Sequence, residues 1–142
     1  MDPISTISLV ASCAGLAKTC VSVSKTLTDL AEKYKHAELT LLSIAEECDI
    51  IQVAWIQIER WASHTADRID DYEYLYARLE KSVYTGELIM SALETDLHCL
   101  QRSGNLLRRT KVVWNDNAIR DHQHRLRGQV CALTLLLEAI QL

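Results

Sequence analysis

Residues 41–62 read LLSIAEECDIIQVAWIQIERWA, and the spacing of their apolar side chains decides the fold. Leu41, Ile44, Ala45, Cys48, Ile51, Trp55, Ile58 and Ala62 recur at intervals of three and four. That is the period of a helix with one face turned to a core. Leu39, Leu42, Ile50, Val53 and Ile56 add apolar groups off the stripe. A helix this apolar around its circumference is expected to be covered by neighbours on several sides. The pattern predicts a helix over about 37–63, followed by a connection at Ser63-His64-Thr65-Ala66-Asp67.

Working outward, the same period continues on both sides. Leu75, Leu79, Val83, Gly86, Met90, Leu93, Leu97 and Leu100 predict a helix over about 69–102. Asp70, Asp71 and Glu73 lie in its first turns, where carboxylates favour the positive end of the helix dipole. Tyr72, Tyr74, Tyr76 and Tyr84 are expected at a half-buried bundle end, and Ser103-Gly104-Asn105 is a helix stop. Upstream, Asp2-Pro3 is a helix start, an acidic N-cap before proline at the first helical position. Ile7, Val10, Ala11, Ala14, Ala17, Val21, Leu27 and Leu30 then predict a helix over about 3–33. Ser8 with Ser12, and Ala11 with Gly15, are small pairs one turn apart, a spacing that admits a second helix closely. A last helix over about 112–141 carries Val112, Ile119, His122, Leu126, Cys131, Leu133, Leu137 and Ile140. The expected fold is a single all-α, up-and-down bundle of four main helices, with room for a short fifth at a connection.

Composition agrees. The 142 residues are 49% hydrophobic and 24% charged, which is globular rather than disordered. Four glycines and one proline are too few for a turn-rich sandwich or barrel. The net charge of −4 is unevenly spread: residues 38–101 hold thirteen Asp/Glu against four Lys/Arg, and residues 102–128 hold seven Lys/Arg against two Asp. The basic cluster is expected to pair with the acidic segment inside one bundle, and no nucleic-acid partner is expected. Five cysteines without a CxxC spacing read as small apolar residues rather than a disulfide framework or zinc site. His122 and His124, two apart, point to different sides of a helix and cannot share a metal as an i,i+4 pair would.

Catalytic signatures are missing. The sequence holds no phosphate-binding glycine loop, no GxSxG elbow and no HExxH. Glu46-Glu47 and Asp70-Asp71 are adjacent, so within a helix they diverge by about 100° and cannot flank one bond. The expectation is a protein that is not an enzyme and needs no cofactor or metal. Residues 3–17 are free of charge, but the basic start of a secretory signal is absent, and Asp2 excludes N-myristoylation. With serines and a threonine inside it, this stretch reads as too short and too polar for a transmembrane helix, so the expected location is cytoplasmic.

The order of several stretches resembles the fungal N-terminal domain of STAND (NLR-like) proteins, also called HeLo-like. They are Met1-Asp2-Pro3-Ile4-Ser5 continuing through Leu9-Val10-Ala11-Ser12-Cys13-Ala14-Gly15-Leu16, then Asp29-Leu30-Ala31-Glu32-Lys33-Tyr34, and Leu41-Leu42-Ser43-Ile44-Ala45-Glu46-Glu47-Cys48. Val113-Trp114-Asn115, Leu126-Arg127-Gly128-Gln129 and Ala132-Leu133-Thr134-Leu135-Leu136-Leu137 complete it. The resemblance implies a helical bundle that is the N-terminal part of a longer protein, ahead of a nucleotide-binding oligomerisation module or another domain. It further implies a non-enzymatic effector of programmed cell death or heterokaryon incompatibility, which self-associates and then exposes its first helix to membrane lipid. On that implication Ile4, Ile7, Leu9, Val10 and Leu16 are the insertion residues. Arg108, Arg109 and Lys111 would contact anionic headgroups, each worth about 1 kcal/mol near a charged surface. The alternative is an adaptor or oligomerisation domain that docks partner helices without touching lipid.

Overall fold

The polar break at Ser63-His64-Thr65-Ala66-Asp67 becomes a helix end. The computed structural model describes residues 3–101 and 116–141, and these form four α-helices with no strand among the described residues. Helix α1 is Pro3–Lys33, α2 is Glu38–His64, α3 is Glu73–Gln101 and α4 is Asp116–Gln141. Short 3-10 segments at Lys35–Ala37 and Ala66–Tyr72 join the first three. The expected starts and ends of α1 and α2 agree to within about a residue, whereas α3 starts four residues later than the pattern suggested. The cause is local: Arg68 takes φ −125° and ψ 37°, which breaks the helical path before Glu73. The expected N-cap Asp2, the Ser103-Gly104-Asn105 stop and Val112 lie outside the described residues.

Around the bundle the order is α1, α2, α4, α3, each helix flanked by its two neighbours in that ring. The chain runs up, down, up, down, but α2 and α3 are diagonal rather than adjacent. The segment Ala66–Tyr72 therefore carries the chain across one end of the bundle, touching α1, α2 and α3. As a result α1 and α3 lie side by side and parallel: Ser5 and Ser8 stand beside Glu80 and Tyr84, and Ser22 and Thr26 beside Leu97 and His98.

A fastening holds the crossing in place. Tyr76, fully buried, donates a hydrogen bond to the Ala62 carbonyl at 2.9 Å and lies 2.7 Å from Thr65 Oγ1. Thr65 closes α2 by donating its backbone N–H to the Trp61 carbonyl at 3.0 Å. The Trp61 ring sits 5.1 Å from that of Tyr76 and 5.5 Å from that of Tyr72, the latter edge-on. Such pairs contribute about 0.5–1.5 kcal/mol beyond area burial. Of the four tyrosines expected at a half-buried end, Tyr76 is core, Tyr72 is half-buried, and Tyr74 and Tyr84 face solvent.

All four helices meet around Trp55, which is completely enclosed. An added Cβ on Gly86 of α3 would lie 3.0 Å from Trp55 Cζ2, 3.3 Å from Gln129 Nε2 and 3.4 Å from Leu16 Cδ1. Glycine at this position lets α3 approach the indole ring.

Three expected packing patterns are corrected. In α1 the buried residues are Thr6, Leu9, Cys13, Leu16, Ala17, Cys20, Val23, Ser24, Leu27, Leu30 and Ala31. Ile7 and Val21, placed on the inner stripe from sequence, are 69% and 50% exposed. Gly15, expected at a close contact, has nothing within 4 Å of an added Cβ. In α2 the eight-residue stripe is buried as expected, but Leu39, Leu42, Ile50 and Val53 are exposed, because among the described helices only α1 and α4 flank α2. In α4, Cys131 faces outward while His122, Leu126, Gln129, Leu133 and Leu136 enter the core.

Candidate functional site

Helix α1 is 31 residues long, about 46 Å at 1.5 Å per residue. Its Ser5–Lys33 portion is long and apolar enough to cross a membrane by length and composition, a condition that the core helix of a soluble protein also meets. The charge-free stretch 3–17 is short for a span, but the helix runs on through Lys18 with no further charge before Lys25. Only 39% of its most apolar window is buried.

The four insertion candidates whose side chains are described divide between two faces. Ile7 points outward, Val10 is half-buried at the edge, and Leu9 and Leu16 are core at 6% and 4% exposure. The Ile4 side chain lies outside the described residues, as do Arg108, Arg109 and Lys111. Leu9 and Leu16 therefore reach lipid only if α1 leaves the bundle, whereas Ile7 is available at once. Val21, which the sequence had turned inward, extends the outward strip past Lys18.

Two shallow grooves flank this strip. Toward α2, Ala14, Ala17 and Val21 face Ile56, with Lys18, Gln52 and Glu59 at the rim. Toward α3, Ser5, Ser8 and Ser12 face Glu80, Tyr84 and Glu87 over Leu9 and Val83. The α1–α3 seam is thus the more polar one, with serine hydroxyls and carboxylates where an apolar contact would bind more tightly.

Burial dominates the titration of the core thiols. Burial, with Glu59 nearby, pushes the Cys13 thiol up to about 12. Burial, with Asp49 and Glu94, does the same for Cys20, again to about 12. Cys48 is also raised, chiefly by burial. These thiols stay protonated at neutral pH and are poor nucleophiles. His122, buried in α4, lies 2.5 Å from Asp96 Oδ2 of α3, and Arg127 Nε donates to Glu47 Oε1 of α2 at 3.0 Å. The second contact joins the basic segment to the acidic one, as the charge distribution suggested. No group of three or more metal-ligating side chains exists among the described residues.

Sequence reasoning missed the inward register of α1, yet a signal for it was present. Cys13 and Cys20 stand seven apart, with Leu9 and Leu16 one turn before each. Cysteine is among the most buried residue types. Anchoring the helix on its cysteines rather than on Ile7 and Val21 gives the observed face. The fold and this surface define an all-α bundle with an apolar, incompletely covered first helix. No family model, curated protein or solved structure matches the chain.

Proposed function

We propose that this chain is a non-enzymatic effector bundle that acts on membranes through α1 once several copies are brought together, as the resemblance to the STAND N-terminal domain implies. The observation that supports the reading most is the division of α1 into two apolar faces. Leu9 and Leu16 are satisfied by the core, while Ile7 and Val21 are left to solvent. Transfer of such a helix to lipid covers both faces, whereas the bundle covers one. Burying a side chain of this size yields about 1.5–3 kcal/mol, so the outward residues favour lipid without weakening the resting bundle. The serine-lined seam toward α3 lowers the cost of release.

Clustering by an attached oligomerisation module would bring the helices together, and Arg108, Arg109 and Lys111 would draw the bundle to anionic headgroups. On this reading the protein rests in the cytoplasm and relocates to the plasma membrane. The test is leakage from dye-loaded anionic vesicles by the domain fused to an inducible oligomeriser. Clustered protein is expected to release dye and, in yeast, to kill; Ile7→Asp is expected to abolish both with an unchanged melting temperature. Harmless, cytosolic clusters would sink the reading.

The exposed face of α2 favours a second reading. Leu42, Ile50 and Val53, with Glu46 and Asp49 among them, form an exposed strip that a partner helix with apolar and basic side chains would fit. Intact vesicles together with loss of partner binding in Val53→Asp would support it.

A further inference from the structure

The outward face of α4 carries a pattern that the fold of one chain does not use. Gly128, Cys131, Ala132, Leu135 and Ala139 lie on one exposed strip, opposite the residues that enter the core. Leu135 is 66% exposed. An added Cβ at Gly128 would meet nothing within 4 Å, so no contact among the described residues calls for glycine there. Glycine is nevertheless the least favourable residue in a helix interior after proline.

We propose that this strip is a homodimer interface, in which α4 packs antiparallel against α4 of a second copy about a two-fold axis passing beside Cys131 and Ala132. Gly128 and Leu135 are seven residues apart, two helical turns, and their midpoint falls between Cys131 and Ala132. An axis at that midpoint seats Leu135 of each copy over the partner's Gly128. One knob and one hole per chain complete each other, which is what a two-fold interface requires.

The flanks agree with the same axis. His124 and Glu138, both exposed, stand seven residues on either side of Cys131 and share one edge of the strip. Antiparallel packing brings equivalent edges together, so His124 faces the partner's Glu138 and Cys131 lies beside the partner's Cys131. On the other edge Arg125 meets the small partner's Ala139. Parallel packing would set Gly128 level with Gly128 and Leu135 level with Leu135, so that no knob enters a hole. Glycine and alanine at the contact allow an axis separation near 8 Å. That places the two Cys131 within reach of the roughly 4.4–6.8 Å between Cα atoms that a disulfide spans.

The proposal stands on α4 alone and does not depend on the action at membranes; vesicle leakage plays no part in its test. Sedimentation of the 142-residue chain over a concentration series is expected to show a monomer–dimer equilibrium. Mild oxidation with copper–phenanthroline in air is expected to trap a dimer that persists in Cys99→Ser and disappears in Cys131→Ser. Gly128→Leu fills the hole while improving helix propensity, so it is expected to abolish the dimer with an equal or higher melting temperature. Glu138→Lys is expected to weaken association by about tenfold, and adding His124→Glu to restore it. A monomer up to about 1 mM, trapping through Cys99 alone, or a Gly128→Leu protein that dimerises like the parent would overturn the proposal.

Discussion

Trp55 and Gly86 show how one side chain fixes the distance between helices that are not neighbours in the ring. The indole, completely buried, reaches from α2 across the centre to the α3 backbone, where a Cβ would stand 3.0 Å from its ring. Gly86→Ala gains about 1 kcal/mol of helix propensity but must displace an enclosed ring that has nowhere to go. Overpacking of this kind costs about 1–3 kcal/mol, so the clash is expected to win and lower the melting temperature by a few degrees. Gly128→Ala and Gly15→Ala make the opposite case, because nothing lies within 4 Å of either position. Each is expected to stabilise the chain by about 0.4–1 kcal/mol. Thermal denaturation of the three variants side by side checks both signs. A Gly86→Ala protein as stable as Gly15→Ala would mean that the α3–Trp55 contact is looser than the geometry implies.

At the scale of the element, α1 and α3 differ in how plainly their inner faces were written. In α3 the core positions from Leu79 to Leu100 alternate with Glu80, Lys81, Glu87, Glu94 and Thr95, so the exposed Tyr84 and Leu88 form no second stripe and the observed one is the expected one. In α1 the candidates Ile7, Val10, Ala14 and Val21 compete with Leu9, Cys13, Leu16 and Cys20 for the same core, and periodicity alone cannot choose between two apolar faces centred about 120° apart. Tertiary packing chose the face with leucines and cysteines. That choice decides which substitution is informative. Leu9→Asp buries a carboxylate against Val83, near Glu80 and Glu87, and is expected to cost more than about 3 kcal/mol, enough to unfold a marginal domain. Ile7→Asp sits in water and is expected to change stability by less than about 0.5 kcal/mol. Urea denaturation of the two variants tests the register directly, and equal losses would contradict the orientation of α1. Candidate contacts at Arg108, Arg109 and Lys111 had no comparable pattern to read, since charge alone marks a surface without giving its position.

For the whole molecule, the shared core becomes a pH limit. Cys13 and Cys20 on α1 face α2, where Cys48 completes a seam of three buried thiols. Cys13 and Cys20 are raised from their ordinary 9.0 to about 12, and Cys48 and Tyr76 are raised as well, burial being the main cause in every case. Below pH 9 these thiols are protonated in the folded and the unfolded chain alike, and stability does not depend on them. Above it the unfolded chain releases protons that the folded one retains, so unfolding becomes progressively easier as pH rises toward the folded values. Each thiol contributes on the order of 1 kcal/mol of loss by pH 10, and three together approach the lower range of total domain stability, about 5 kcal/mol. The urea midpoint is therefore expected to be level between pH 7 and 8 and to fall steeply by pH 10, with Tyr76→Phe removing only the later part of the fall. At pH 8 and at concentrations low enough to keep the chain monomeric, Cys99 and Cys131 are exposed and are expected to react quickly with a thiol reagent. Cys13, Cys20 and Cys48 should react only as fast as the bundle opens. A midpoint that stays level to pH 10, or five thiols reacting at one rate, would show that the α1–α2 seam admits water at rest.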